Sequence, residues 1–203
     1  DAGIKVVNFD TPVANTDLVE TIIASDNYNA GVVVAKDMMK KLEEGSKIAV
    51  MHSPAGGACI DRANGFYDTI KDYFEVVIEL DGKGDTGVTL PLAEDVLQST
   101  PDLKAFFCVN DPSAMGAVNA LAAHPEMKDV LIYGVDGNPD AKKLILDEKM
   151  TGTAAQSPET IGKETIKAAY ELLSGKEVEK NIVVDTFLIT KKNVEEYGTD
   201  GWQ

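Results

Sequence analysis

The stretch AFFCVNDPSAMGAVNALAA, residues 105–123, shows the pattern on which this chain is built. Residues 105–110 form an apolar run that ends at Asn110, and residues 111–123 have the spacing of apolar side chains that is typical of a helix. A short, nearly continuous apolar strand suits a parallel sheet that is buried on both faces. The stretch therefore predicts one strand–helix unit of an α/β fold, with Cys108 buried in its strand.

The same unit recurs along the chain. Further apolar runs lie at residues 5–10, 20–25, 47–52, 75–80, 130–136 and 151–156. Segments with helical spacing lie between them at residues 27–42, 86–99 and 158–173, and another begins at Pro139. Strand–helix units in series predict a doubly wound parallel sheet with right-handed crossovers.

Polar residues stand where the predicted strands end. Open α/β sheets bind ligands outside the carboxyl ends of their strands. The residues at these ends are Asp10, Asp26, His52, Asp81, Asn110, Asp136 and Gln156. Carboxylates accept hydrogen bonds and amides both donate and accept, so this set is matched to the hydroxyl groups of a polyol.

Each of these residues also has a structural interpretation, because Asp and Asn favour helix caps. We expect Asp26 and Asp111 to be N-caps, and Asn110, Asp136 and Gln156 to bind ligand. Arg62 is predicted in the first turn of a helix, where a cation is disfavoured. Its fork can bond adjacent hydroxyls, or it can pair with Asp61 at the surface, and the residue chemistry alone leaves both interpretations open.

Composition and motifs exclude several functions. The formal net charge of -15 opposes nucleic-acid binding. The loop SPAGGA, residues 53–58, lacks the lysine of a phosphate-binding loop, and GxGxxG is missing. No acid–base pair and no metal-ligand spacing are recognisable, so we expect no enzyme activity, no cofactor and no metal. Cys59 and Cys108 are expected to be unpaired, although spacing alone does not exclude a disulfide.

Eight short segments, in order, resemble the type I periplasmic sugar-binding proteins, in particular their ribose-binding branch: AGIKVVNFD, IASDNYNAG, DRANGF, NDPSAMGA, GVDGNPDA, TAAQSPETIG, LLSGKEV and TKKNVEE. The resemblance implies two lobes that close over a sugar by a hinge motion. One lobe would hold residues 26–156 and 187–203, and part of the N-terminal lobe would be formed by 1–24 and 158–183. Hinge crossings would lie near residues 25, 157 and 185, and we expect the first part of the N-terminal lobe to be missing from the chain.

The resemblance also implies a site and a function. Its sugar-contacting positions correspond to Asp10, Arg62, Asn110, Asp136 and Gln156, while Thr11 and Gly84 replace an arginine and an aromatic residue of the ribose receptors. The implied function is an extracytoplasmic solute-binding receptor, periplasmic or a cell-surface lipoprotein, for a ribose-like pentose, a hexose or a related polyol. Its implied partner is the permease of an ABC importer, and it would meet the membrane only through that permease or a lipid anchor. The alternative is the effector-binding domain of a LacI-type repressor or a sugar sensor.

Overall fold

A computed structural model describes residues 3–203. The strands are β1 (Val7–Phe9), β2 (Thr21–Ser25), β3 (Lys47–His52), β4 (Glu75–Asp81), β5 (Ala105–Cys108), β6 (Leu131–Asp136), β7 (Gly152–Ala155), β8 (Asn181–Val184) and β9 (Phe187–Thr190). The helices are α1 (Asn27–Lys41), α2 (Gly57–Ile70), α3 (Thr86–Ser99), α4 (Asp111–Leu121), α5 (Pro139–Leu146), α6 (Pro158–Leu173) and α7 (Val194–Tyr197).

The larger sheet has six strands in the order β4-β3-β5-β6-β7-β9. Its strands are parallel except for β9, which pairs antiparallel with β7. After β3 the chain moves outward to β4 and then returns to β5 on the other side of β3, so the winding direction reverses between β3 and β5. Such a reversal opens a crevice at the carboxyl ends of the strands, and the predicted doubly wound fold is confirmed.

The core fills both faces of this sheet. Phe106 and Ile132 pack on the face covered by α3, α4 and α5. Phe107 points to the opposite face, where its ring stacks on Phe66 of α2 with 4.1 Å between the centroids. Neighbouring residues of β5 thus serve opposite faces, as the pleat of a strand requires. The apolar run of residues 105–110 is therefore explained by burial on both sides.

The smaller sheet has three parallel strands in the order β1-β2-β8. Helix α6 packs on it, with Ile161 and Ala168 against Ile23 and Val184. The division of the chain into two lobes, with crossings near residues 25, 157 and 185, stays a prediction. None of the helices within residues 3–203 is long and apolar enough to cross a lipid bilayer.

Three features differ from or add to the sequence prediction. The run at 75–80 forms β4 at the edge of the sheet, where Ile78 is exposed rather than buried on both faces. Arg62 lies in the second turn of α2, since that helix begins at Gly57. Cys59 and Cys108 are both free thiols, and Cys108 is fully buried in β5, as predicted. Burial raises the pKa of the Cys108 thiol, so it behaves as a small apolar side chain.

Candidate binding site at the carboxyl edge of the larger sheet

Asp136 is the centre of a group of polar side chains that meets at the carboxyl edge of the larger sheet. Its Oδ1 accepts a hydrogen bond from Gln156 Nε2 at 2.8 Å and lies 3.3 Å from Arg62 Nη1. Its Oδ2 accepts from the backbone N–H of Asp111 at 3.3 Å. Asp136 has a φ of 140° and Gly137 a φ of 74°, a conformation that is costly for a residue with a side chain. Several elements therefore hold one carboxylate in a strained turn.

Arg62 is the single arginine of the chain, and it is buried. Its Nε donates to Asn27 Oδ1 and its Nη1 to the carbonyl of Val109, both at 2.9 Å. Asn27 in turn donates to the carbonyl of Ser25 at 3.1 Å. Among residues 3–203, the partners of the guanidinium engage Nε and Nη1, and Nη2 remains available to another partner. Arg62 is therefore buried and forms an ion pair with Asp136, rather than lying at the surface with Asp61.

The prediction that Asp111 is the N-cap of α4 is wrong. The cap of α4 is Asn110, whose Oδ1 accepts from Ser113 N at 3.1 Å. Asp111 is fully buried, and its carboxylate accepts from Thr153 Oγ1 at 2.6 Å and from Asn138 N at 2.9 Å. Its local sequence resembles an N-cap, and only the spatial contacts separate the two roles. Asp26 does cap α1, as predicted, by accepting from Asn29 N.

Asp111 and Thr153 form hydrogen bonds with the backbone of the turn that follows Asp136. The N–H of Gly137 donates to Thr153 Oγ1 at 3.1 Å, and the hydroxyl of Thr153 donates a hydrogen bond to Asp111 Oδ1 at 2.6 Å. Burial raises the pKa of Asp111 to about 7, and the neighbouring charge of Asp136 adds to the rise. Burial also raises the pKa of Asp136, while Arg62 opposes that rise. The guanidinium thus pairs with Asp136, and it acts on the more deeply buried Asp111 only through its charge.

The remaining predicted residues, Asn110 and Asp10, lie at the margin of this group. Asn110 Nδ2 donates to the carbonyl of Gly84 at 3.0 Å, so part of its amide is used within the protein. Gly84 has a φ of 67°, a conformation that residues with a side chain rarely adopt, so an aromatic residue at this turn would be strained. Asp10 is exposed beyond β1, and its negative charge adds to the rise of the Asp136 pKa. Arg62 and Gln156 thus both contact Asp136, and Asp10 acts on Asp136 through its charge.

The raised pKa of Asp111 predicts how stability changes with pH. Asp111 titrates near 3.8 as a free side chain and near 7 in the folded protein. Between these values the folded state binds more protons than the unfolded state, so the free energy of unfolding falls as the pH rises. The contribution of Asp111 to stability is therefore greatest below 3.8 and is lost once the pH has passed about 7. We expect Asp111 to contribute a slope of up to about 1.4 kcal/mol per pH unit.

Urea denaturation at intervals from pH 4 to 8 measures this slope. Asp111→Asn removes the titrating group, so the free energy of unfolding of the variant should depend less on pH than that of the parent. Asp140→Asn, at an exposed position in the first turn of α5, is the matched control. Parallel curves for the parent and Asp111→Asn would contradict the prediction.

Comparison with known proteins identifies the family. A family model described as a periplasmic binding protein domain matches residues 1–177. The chain belongs to this family. The ribose import binding protein RbsB of Bacillus subtilis is 38% identical over 191 residues, which cover 94% of this chain and 62% of that protein. The D-allose-binding periplasmic protein of Escherichia coli is 32% identical, covering 93% of this chain and 66% of that protein.

Solved structures of this family have the same fold. An ABC transporter solute-binding protein from Bacillus halodurans with bound myo-inositol superposes with a TM-score of 0.89 at 28% identity, covering 96% of this chain and 69% of that one. The arabinose-binding component from Shewanella sp. ANA-3, bound to L-arabinofuranose, has a TM-score of 0.88 at 29% identity and covers 96% and 67%. The predicted resemblance to periplasmic binding proteins is confirmed.

Proposed function

We propose that this chain is part of an extracytoplasmic receptor that captures a monosaccharide or a related polyol and delivers it to an ABC importer. The observation that carries the proposal is the contact of Arg62, Asp136 and Gln156 at the carboxyl edge of the larger sheet. This edge is where open α/β sheets bind small ligands. The names of the relatives support the choice of ligand, since they specify ribose, allose, arabinose and myo-inositol.

The chemistry of the group suits a hydroxylated ligand. The Asp136 carboxylate keeps lone pairs for further hydroxyls, and Gln156 Nε2 is engaged while its carbonyl oxygen can accept. Nη2 of Arg62, which has no partner among residues 3–203, supplies a fixed donor beside these acceptors. Donors and acceptors side by side match the vicinal hydroxyls of a sugar, each of which both gives and accepts hydrogen bonds.

The two sheets suggest how the ligand is enclosed. In our proposal the larger sheet belongs to one lobe and the smaller sheet to the other, with Asp10 facing the site from the smaller sheet. The crossings near residues 25, 157 and 185 would then bend when the lobes close. The contacts from Ser25 through Asn27 and Arg62 to Asp136 connect the first crossing directly to the site.

We propose binding without turnover, because the group has no nucleophile paired with a base. The relatives are named as binding and import proteins, which does not favour the alternative of a LacI-type effector domain. A receptor that feeds an importer works outside the cytoplasm, and we propose that location for this protein.

Titration of the complete protein with D-ribose, D-allose, L-arabinose and myo-inositol tests the proposal. Calorimetry should show one saturable site for at least one of these ligands, and the ligand should be recovered unchanged. Asp61→Ala, at the exposed neighbour of Arg62, is the control and should bind as the parent does. Absence of binding to all four, or steady formation of a product, would overturn the proposed function.

A further inference from the structure

The segment Gly198–Gln203, which follows α7, lies on the turn that carries Asp136. Lys142 of α5 is fully buried, and its Nζ donates to the carbonyl of Gly201 at 2.6 Å. With the Gln203 amide oriented to satisfy both of its ends, its oxygen accepts from Lys142 Nζ at 2.6 Å and its nitrogen donates to the Gly137 carbonyl at 3.2 Å. The ammonium of Lys142 thus joins α5 to the segment, and the Gln203 amide joins the segment to Gly137, the residue after Asp136.

A lysine in this position needs a specific reason. Lysine is almost never fully buried unless it is paired. Lys142 also lies near the N-terminus of α5, where the helix dipole disfavours a cation. Burial lowers the pKa of Lys142, and the negative charge of Asp200 in the same segment opposes part of that shift. The oxygens and the charge that stabilise Lys142 therefore come from Gly198–Gln203.

The turn is closed from outside by the same segment. A Cβ at Gly137 would lie 2.6 Å from the Cβ of Ala155 and 2.9 Å from the Gln203 amide atom that faces it, so no side chain fits at this position between β7 and Gln203. From the inner side, Asp111 and Thr153 bind the same turn. The strained conformation of Asp136 thus lies between Gly198–Gln203 on one side and Asp111 with Thr153 on the other.

We propose that Lys142 is a positioning residue for the sugar site, and that it acts by holding Gly198–Gln203 against the turn at Asp136 and Gly137. The proposal rests on the proposed function, since it concerns the affinity of the same site. Release of the segment would let the turn relax, and the Asp136 carboxylate would lose its alignment with Arg62 and Gln156. Lys142 itself does not touch the ligand in this proposal.

The single tryptophan of the chain, Trp202, reports on the segment, where it is 46% exposed. We compare the complete protein with its Lys142→Met variant, which keeps the length of the side chain, and with Lys143→Met at the exposed neighbouring position. Lys142→Met should shift Trp202 emission to the red, increase its quenching by acrylamide and weaken binding of the preferred sugar of the panel about tenfold. Lys143→Met should change none of these.

A second pair of variants separates positioning from general stability. Deletion of residues 199–203 should weaken binding as much as Lys142→Met, and adding Lys142→Met to the deletion should cause no further loss, because both changes break one connection. Gln203→Ala, which leaves the core intact, should weaken binding less, by about threefold, and it serves if Lys142→Met does not fold.

The outcomes distinguish this proposal from the proposed function. A variant that has a lower melting temperature but unchanged Trp202 emission and unchanged affinity would overturn the positioning role. Additive losses from the deletion and Lys142→Met would overturn it as well. If the parent binds no sugar, the proposed function fails. In that case the Trp202 emission and the amide NMR shift of Gly137 decide whether Lys142 holds the segment on the turn.

Discussion

Replacing Asp136 with alanine is expected to weaken sugar binding by about 2–4 kcal/mol, or roughly 30- to 1000-fold. The carboxylate accepts hydrogen bonds from Gln156 and from the N–H of Asp111, and it pairs with Arg62. It is therefore aligned before any ligand binds. Hydrogen bonds to a charged acceptor are stronger than neutral ones, and its removal leaves ligand hydroxyls without partners. Calorimetry on the parent and the variant measures the loss.

The control for this prediction is Asp140→Ala, three residues after the turn and exposed in the first turn of α5. It removes the same charge and should leave the affinity within a factor of about two. Asp136→Asn keeps the shape of the side chain and should show most of the loss, which separates charge from packing. Unchanged affinity in both Asp136 variants would remove Asp136 from the site.

Replacing Arg62 with methionine is expected to lower the free energy of unfolding by about 3–5 kcal/mol. The guanidinium is buried, and it stabilises Asp136 directly and Asp111 through its charge. Without it, two carboxylates face each other in the interior, and the carbonyl of Val109 and the amide of Asn27 lose a donor. Urea denaturation at pH 7 measures the loss.

Three comparisons give the Arg62 prediction its controls. Lys163→Met breaks an exposed ion pair on α6 and should cost less than about 1 kcal/mol. Adding Asp136→Asn to Arg62→Met should recover part of the stability, because it removes the charge left unpaired. The deficit should also shrink as the pH falls and the carboxylates are protonated. A loss from Arg62→Met no larger than that from Lys163→Met would show that the buried pair contributes little.

The helices and the central strands were predictable because their signals are local. Helix α3 has the predicted bounds of residues 86–99, and α1 ends at residue 41 rather than 42. Strands β8 and β9 were not predicted as strands. Each has four residues, and β8 pairs with β2 from the other end of the chain, a partner that no local pattern encodes. Short edge strands depend on such distant pairing more than on their own sequence.

The residue types of the candidate site could be predicted from the sequence, whereas the hydrogen bonds between them could be predicted only in part. Strand ends meet at one edge, so Asp136 and Gln156 could be placed near each other from topology alone. The role of Asp111 could not be read in the same way, because a shift of one residue decides whether Asn110 or Asp111 caps α4. The contact between Asp111 and Thr153 spans 42 positions and depends on side-chain distances that spacing does not specify.

The strained backbone at Asp136 has an evolutionary consequence. A φ of 140° costs on the order of 1–3 kcal/mol for any residue with a side chain, and glycine would adopt it freely. Glycine at position 136 would relieve this strain but would also leave the buried guanidinium of Arg62 without its ion-pair partner, which costs more than the strain does. A lineage of this chain would therefore reach glycine at position 136 only together with a change at position 62, so the two positions are expected to vary as a pair.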